Sequence, residues 1–198
     1  MSLAHRTDPS TEPRMTVDEF LAWKGGRNGV VYELVNGVIR AQEAASDTHG
    51  TIQGRLTTIL TVHLDKHRPG CRVVVAPGVK PRLLARWNHR VPEMAVTCQS
   101  NTPDAHHIPD PILIVEILSP SNAEDTWSNI ALYASLPSVA EILIVESEKI
   151  EAQLLRRQAD GSWPQEPESV SSGGTIRLDS IGLEFGLAEA YRDTHLVA

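Results

Sequence analysis

The segment PILIVEILSPS, residues 111–121, constrains this chain more than any other because it sets a carboxylate into an aliphatic run. Ile112, Leu113, Ile114, Val115, Ile117 and Leu118 read as a strand buried on both faces, and Glu116 interrupts them. A carboxylate carried into a dry sheet loses hydration worth roughly several kcal/mol unless a cation or donors compensate it. A partner arginine or lysine, a metal ion, or a raised pKa kept for chemistry would each account for Glu116. So would a side chain that leans to the sheet edge and is solvated.

Ser119-Pro120-Ser121-Asn122 ends the strand, because proline has no N–H for a ladder. Ser121 or Asn122 can cap a following helix, with Glu124 or Asp125 in the capping-box position. That helix carries Trp127, Ile130, Leu132, Tyr133 and Leu136 until Pro137 stops it. Glu116 therefore lies late in a strand, just before a turn into a helix, where ligands bind in α/β sheets.

Other elements follow from local chemistry. Thr16-Val17-Asp18-Glu19 is a capping box opening a helix through Phe20, Leu21 and Trp23. Val31–Val35 and Val38–Gln42 flank Asn36-Gly37, a two-residue hairpin turn. Ile52, Leu56, Ile59, Leu60 and Leu64 recur at helical spacing between Asp47 and His67, and Pro69-Gly70 ends that helix. Strands are predicted at 72–76, 79–84, 91–97, 140–145 and 150–156, with a turn at Asp160-Gly161 and a Pro/Ser/Gly-rich connection over 163–174. Short apolar segments at 176–178 and 181–187 close the chain. His106 and His107 read as solvated loop residues. Interleaved strands and helices predict an α/β or α+β domain over 15–198 with one mixed sheet flanked by helices, preceded by a flexible tail at 1–14.

Composition is that of a soluble globular chain, and no run approaches the ~18 apolar residues of a membrane span. The first residues have no apolar core of a secretory signal. Cys71 and Cys98 make neither a disulfide framework nor a C-x-x-C pair, and read as reduced core thiols of a cytoplasmic protein. The net charge of −7 argues against a nucleic-acid binder, but its distribution does not. Between Lys66 and Pro92 there is no acidic residue, while Lys66, Arg68, Arg72, Lys80, Arg82, Arg86 and Arg90 all fall there. Such a segment can follow a phosphate backbone or be a solvated hairpin.

No G-x-S-x-G, Walker loop, G-x-G-x-x-G or H-E-x-x-H is present. Three carboxylates remain on predicted strands: Glu33, Glu93 and Glu116. Clustered carboxylates suit a hard cation such as Mg²⁺ or Mn²⁺, which polarises a phosphodiester and activates water.

Met15-Thr16-Val17-Asp18-Glu19-Phe20, Tyr32-Glu33-Leu34-Val35-Asn36-Gly37, His49, Val91-Pro92-Glu93 and Ile114-Val115-Glu116-Ile117-Leu118-Ser119-Pro120-Ser121 occur in an order that resembles the Uma2 family (DUF820). Tyr133 with Pro137-Ser138-Val139 and the closing segment 178–191 extend the likeness to nearly everything from Met15 onward. This bacterial family is classed with restriction endonucleases of the PD-(D/E)xK fold. The resemblance implies a mixed sheet flanked by helices and a Mg²⁺- or Mn²⁺-dependent endonuclease acting on DNA. It places Glu93 and Glu116 as metal-binding acids, Glu33 as the acid completing the site, and His49 beside the pocket. Lys66, Arg68, Arg82 and Arg86 are the candidate nucleic-acid contacts, and a homo-oligomer, a dimer, is the expected assembly.

Two departures stand out. Glu93 replaces the family's aspartate, and no Asp-x-Lys or Glu-x-Lys occurs, position 118 being Leu118. The family's substitute lysine on the next helix corresponds to Asn129, which cannot supply a cation. Lys80 or Arg90 would have to reach in instead. The alternative expectation is a catalytically inactive nuclease fold serving as a nucleic-acid-binding or oligomeric interaction module.

Overall fold

Strand β5 (Pro111–Leu118) is buried along almost its whole length, so both its faces must be covered. The computed structural model describes residues 14–42, 44–119 and 123–197, without the side chains of 123–125. In it β5 lies inside a six-stranded sheet of order β3-β4-β5-β6-β7-β8. The neighbours are β3 (Arg72–Val75), β4 (Met94–Thr97), β6 (Glu141–Glu146), β7 (Glu151–Arg156) and β8 (Glu168–Ser171). The pair β5–β6 is parallel and the others are antiparallel. A parallel pair needs a crossover, and α3 (Ala123–Ala134) supplies it.

Alternation along β5 divides the core. Leu113, Val115 and Ile117 pack with Met94, Val96, Leu143 and Val145 against Ile52, Leu56, Leu60 and Leu64 of α2 (Asp47–His67). Strands β9 (Thr175–Leu178) and β10 (Leu183–Gly186), with the short α4 (Leu187–Ala190), complete that layer. Ile114 and Leu118 face the other way, onto Tyr133 of α3 with Val79, Ala95, Val139, Ile142 and Ile144. The period of two therefore carries Glu116 to the α3 face.

The helices expected at both caps are present. Thr16 and Glu19 form a reciprocal capping box on α1 (Val17–Ala22). Ser46 caps α2 by accepting from His49 N at 3.2 Å. The hairpin of β1 (Tyr32–Val35) and β2 (Val38–Ala41) turns at Asn36 and Gly37, both at positive φ (51° and 86°) as a type I′ turn requires. The tail at 1–13 and the cap positions Ser121 and Asn122 lie outside the described residues.

Four expectations are corrected. Residues 79–84 are not a strand: Val79 makes an isolated bridge with Arg90, Pro81 lacks an N–H, and Leu84 sits at φ 52°. Residues 91–93 precede β4 rather than extending it, so Glu93 stands at the mouth of the strand, following Pro92. The connection 163–174 contains β8, an edge strand with only Val170 buried, which left no apolar alternation to read. Finally, Cys71 and Cys98 are bonded to each other and are not core thiols: Cys71 is half-buried and Cys98 exposed. They flank the Arg72↔Thr97 pair, so the antiparallel register sets them face to face. Among the described residues no helix is long and apolar enough to cross a membrane.

Leu60, fully buried between α2 and the sheet, tests this layer. Leu60→Ala should lower unfolding free energy by about 2–5 kcal/mol in urea titrations, the range for a buried leucine whose cavity relaxes incompletely.

Candidate active site

Glu116 is buried on the α3 face, and what surrounds it decides its chemistry. Its Oε1 accepts from the Tyr133 hydroxyl at 2.8 Å and its Oε2 from Glu93 N at 3.3 Å. A second buried acid, Glu141, shows the contrast. It accepts from Arg156 Nε at 3.0 Å and from the Asp179 and Ser180 amides at 3.0 and 2.9 Å, a structural clamp with its own guanidinium. Among the described residues, Glu116 has only a neutral hydroxyl and one long peptide contact. Burial pushes its carboxyl up to about 8; the Tyr133 bond pulls down against it, and the negative charges of Glu93 and Glu33 add to the rise. Burial and the carboxylates of Glu116 and Glu33 push the Tyr133 phenol well above its ordinary range.

Glu93 is held from α2. His49 Nε2 lies 2.9 Å from its Oε1, and Gln53 Nε2 donates to Oε2 at 2.6 Å. His49 and Gln53 are one helical turn apart and so share a face. The Ser46 cap fixes the start of that turn. Glu33, in β1, accepts from Val91 N at 2.5 Å through Oε1, and its Oε2 lies 4.0 Å from an Arg90 guanidinium nitrogen.

A strap of irregular backbone between β3 and β4 assembles these groups. Ala76 N donates to Glu93 O, and Val79 and Arg90 exchange two bonds of 2.7 and 2.9 Å. Leu34 and His89 exchange two more, at 2.9 and 3.0 Å, tying the hairpin that bears Glu33 to the strap. Asn88, fully buried, accepts from Asn36 N at 3.0 Å. Gly78 packs where a Cβ would lie 2.0 Å from the His106 carbonyl, so only glycine fits there. That same carbonyl accepts from His89 Nε2, 3.1 Å away, and burial lowers the His89 pKa.

The three acids, His49 and Arg90 are thus gathered, while the basic segment is divided. Lys66 and Arg68 stand at the far end of α2, about 26 Å along the axis from His49 at ~1.5 Å per residue. Arg68 there donates to the Ser180 carbonyl at 2.6 Å. Lys80 and Arg86 belong to the strap and line a cavity of about 470 Å³ with Thr16, Val17, Asp18, Glu19 and Ala85. Arg86 stacks 4.8 Å over Trp87, and Arg82 is exposed with its amide on Ser135 Oγ. His106 and His107 are exposed, as expected of loop residues. Gln53 and the Tyr133 hydroxyl are site groups that residue-type reasoning missed. Their spacing was the available signal, each lying four residues after a candidate, His49 and Asn129.

Asn129 is buried on α3, and its Oδ1 has no hydrogen-bond partner among the described residues. Among the described residues, no group of three or more His, Cys, Asp or Glu could by itself hold a metal ion. The donor chemistry nevertheless fits Mg²⁺ or Mn²⁺. Such ions take one or two carboxylates, here Glu93 and Glu116, and draw their other ligands from neutral oxygens and water. The orphaned amide oxygen of Asn129 is a neutral oxygen of that kind.

Glu93 and Glu116 sit on a six-stranded mixed sheet with an α3 crossover. Residues 17–189 match the model of the Uma2 family, described as "Putative restriction endonuclease", and the chain belongs to that family. It is 31% identical over 182 residues to the uncharacterized protein slr1290 of Synechocystis sp., covering 91% of this chain and 93% of that one. A crystal structure from Anabaena variabilis, described as a "putative nuclease belonging to DUF820", superposes with a TM-score of 0.70 at 17% identity. That match covers 89% of this chain and 97% of the other, and establishes the shared fold.

The Glu116 carboxyl sets a pH dependence of stability. Its folded pKa of about 8 exceeds the ordinary 4.5, so between those values the folded state holds a proton that the unfolded state has lost. Its stabilising contribution is complete below about pH 4.5 and is lost as pH rises through about 8. Urea midpoints measured in EDTA should therefore fall across this window, with a slope of up to about 1.4 kcal/mol per pH unit from this group. Glu116→Gln should flatten that fall and leave the protein more stable than wild type at pH 9.

Proposed function

We propose that the chain is a divalent-cation-dependent endonuclease that hydrolyses phosphodiester bonds of DNA, with Glu93 and Glu116 holding Mg²⁺ or Mn²⁺. The observation that carries this reading is Glu116: a buried carboxylate, repelled by two other acids and bonded to no cation among the described residues. A structural acid such as Glu141 is given an arginine, and a site meant for a metal ion is not. The bound cation would supply Lewis-acid polarisation of the phosphodiester and of water.

The protein's own groups have distinct tasks in this reading. Tyr133 donates to Glu116 Oε1 and so leaves the opposite lone pairs directed into the site. His49 and Gln53 fix the Glu93 carboxylate from α2. Glu33, its Oε1 anchored by the Val91 amide, orients water or completes the ligand shell. Arg90, held rigid by its bonds to Val79, offsets the negative charge of Glu33 and provides a fixed cation beside the reacting phosphate. Lys80 and Arg86, from the same strap, contact the DNA backbone at the cavity they line.

One observation favours a second reading, a catalytically silent nucleic-acid-binding module: Asn129 brings no positive charge to the helix that faces Glu116. Plasmid nicking separates the two. Wild type should nick supercoiled DNA with Mn²⁺ or Mg²⁺ and not with EDTA. Glu116→Gln should lower the rate by more than the roughly 10–100-fold that loss of an outer-shell partner costs a metal site. DNA binding without cation-dependent nicking at millimolar Mn²⁺ would establish the silent module.

The division of the basic segment gives a further expectation. Affinity for duplex DNA should fall with salt, and Lys80→Glu or Arg86→Glu should each reduce the log–log slope by about 0.9. Lys66→Glu, at the other end of α2, should leave both affinity and slope unchanged. Equal effects at the two ends would show that DNA does not track the strap.

A further inference from the structure

Helix α3 carries a buried polar stripe. Thr126, Asn129 and Tyr133 are all buried and follow one another at i, i+3 and i+7, the spacing of a single helical face. Tyr133 shows where that face looks, since its hydroxyl lies 2.8 Å from Glu116 Oε1. Side chains on a helix lean toward its N-terminus, so Asn129, one turn earlier, covers the adjoining part of the same surface.

A buried amide oxygen without a donor is unusual, and its surroundings make it more so. The carboxylates that act on Tyr133 on the same helix face, those of Glu116 and Glu33, are themselves acceptors, and neither can serve another acceptor in its ionised form. A compact divalent cation satisfies an amide oxygen and two carboxylates at once, because all three are hard oxygen donors. A lysine at position 129 would bring its own charge and occupy that space. An asparagine leaves it open and offers an oxygen.

Resting on the cation-dependent reading above, we propose that Asn129 Oδ1 is a direct neutral ligand of the cation held by Glu93 and Glu116. The site is then one of two carboxylates and one amide oxygen, with the remaining positions left to water and substrate oxygens.

Calorimetric titration of the full-length protein with Mn²⁺ tests this without any assay of cleavage. Wild type should bind one ion. Asn129→Leu, which keeps the volume and removes the oxygen, should weaken binding about tenfold or more, a loss at least that of an outer-shell partner. Asn129→Asp, which adds an anionic oxygen in the same place, should tighten it and enlarge the Mn²⁺-induced rise in melting temperature. Glu116→Gln should abolish binding at this site. If Asn129→Leu fails to fold, the direction of the Asn129→Asp change decides alone.

Unchanged affinity in both Asn129 variants, with binding still lost in Glu116→Gln, would overturn the role of Asn129 and leave the acid pair standing. No saturable Mn²⁺ binding by wild type would overturn both the ligand assignment and the cation-dependent function. Unaltered binding in Asn129→Leu together with weaker binding in Asn129→Asp would also overturn the assignment, because a direct ligand demands the opposite order.

Discussion

The contact on which this molecule turns is the one between the Tyr133 hydroxyl and the Glu116 carboxylate. It joins the central strand to the crossover helix at the one position where β5 is not aliphatic. Without a donor there, the carboxylate would be buried against hydrocarbon on the face formed by Ile114, Leu118 and Val79. With it, α3 has a fixed rotational setting over the sheet, because a hydroxyl must meet an oxygen at hydrogen-bond distance while a leucine may slide. The same bond is too weak to make Glu116 an ordinary acid, and burial still holds its pKa at about 8. Packing and reactivity are thus set by one pair of atoms.

Around that pair the acids are brought together mainly by main-chain bonds. The strap between β3 and β4 contains Pro77, Pro81 and Pro92, which deny it a continuous ladder. It is instead pinned at separate points: Ala76 to Glu93, Val79 to Arg90, His89 to Leu34, and Trp87 to Gly37. Each pin fixes a neighbour of a site residue, and backbone atoms lose less freedom on fixation than long side chains do. The arrangement also delivers Arg90 in buried form beside Glu33, with a guanidinium nitrogen 4.0 Å from its Oε2. Glu116 is left to repulsion.

Much of this could be read from residue order because the strongest local signals are also the structural ones. The Thr16 and Ser46 caps, the Asn36-Gly37 turn and the apolar spacing of α2 each act over a few residues and have one outcome. The string around Glu116 located the central acid for the same reason. What could not be read depended on partners distant in sequence. The register that sets Cys71 opposite Cys98 belongs to two strands separated by the whole strap. Strand β8 exists only as an edge to β7. The basic residues from Lys66 to Arg90 looked like one face because they are consecutive, yet the end of α2 at His67 sends the first of them away from the acids and leaves the later ones on the strap. Glu93 was placed in a strand by its hydrophobic neighbours, whereas its role comes from standing just outside it, where its carboxylate can turn to His49 and Gln53.

An asparagine rather than a lysine at position 129 bears on the electrostatics of α3 as well as on its ligand chemistry. A lysine ammonium near Glu116 would favour the carboxylate over the acid and keep the site charged at neutral pH whether or not a metal ion were bound. With Asn129 there is no such bias, and the apo site relieves its repulsion by taking up a proton at Glu116. On the cation-dependent reading proposed above, proton and divalent cation would compete for the same oxygen atoms of Glu116. On that reading the affinity of the site for its metal is a function of pH, with no charge from Asn129, which does not itself titrate, to offset the change.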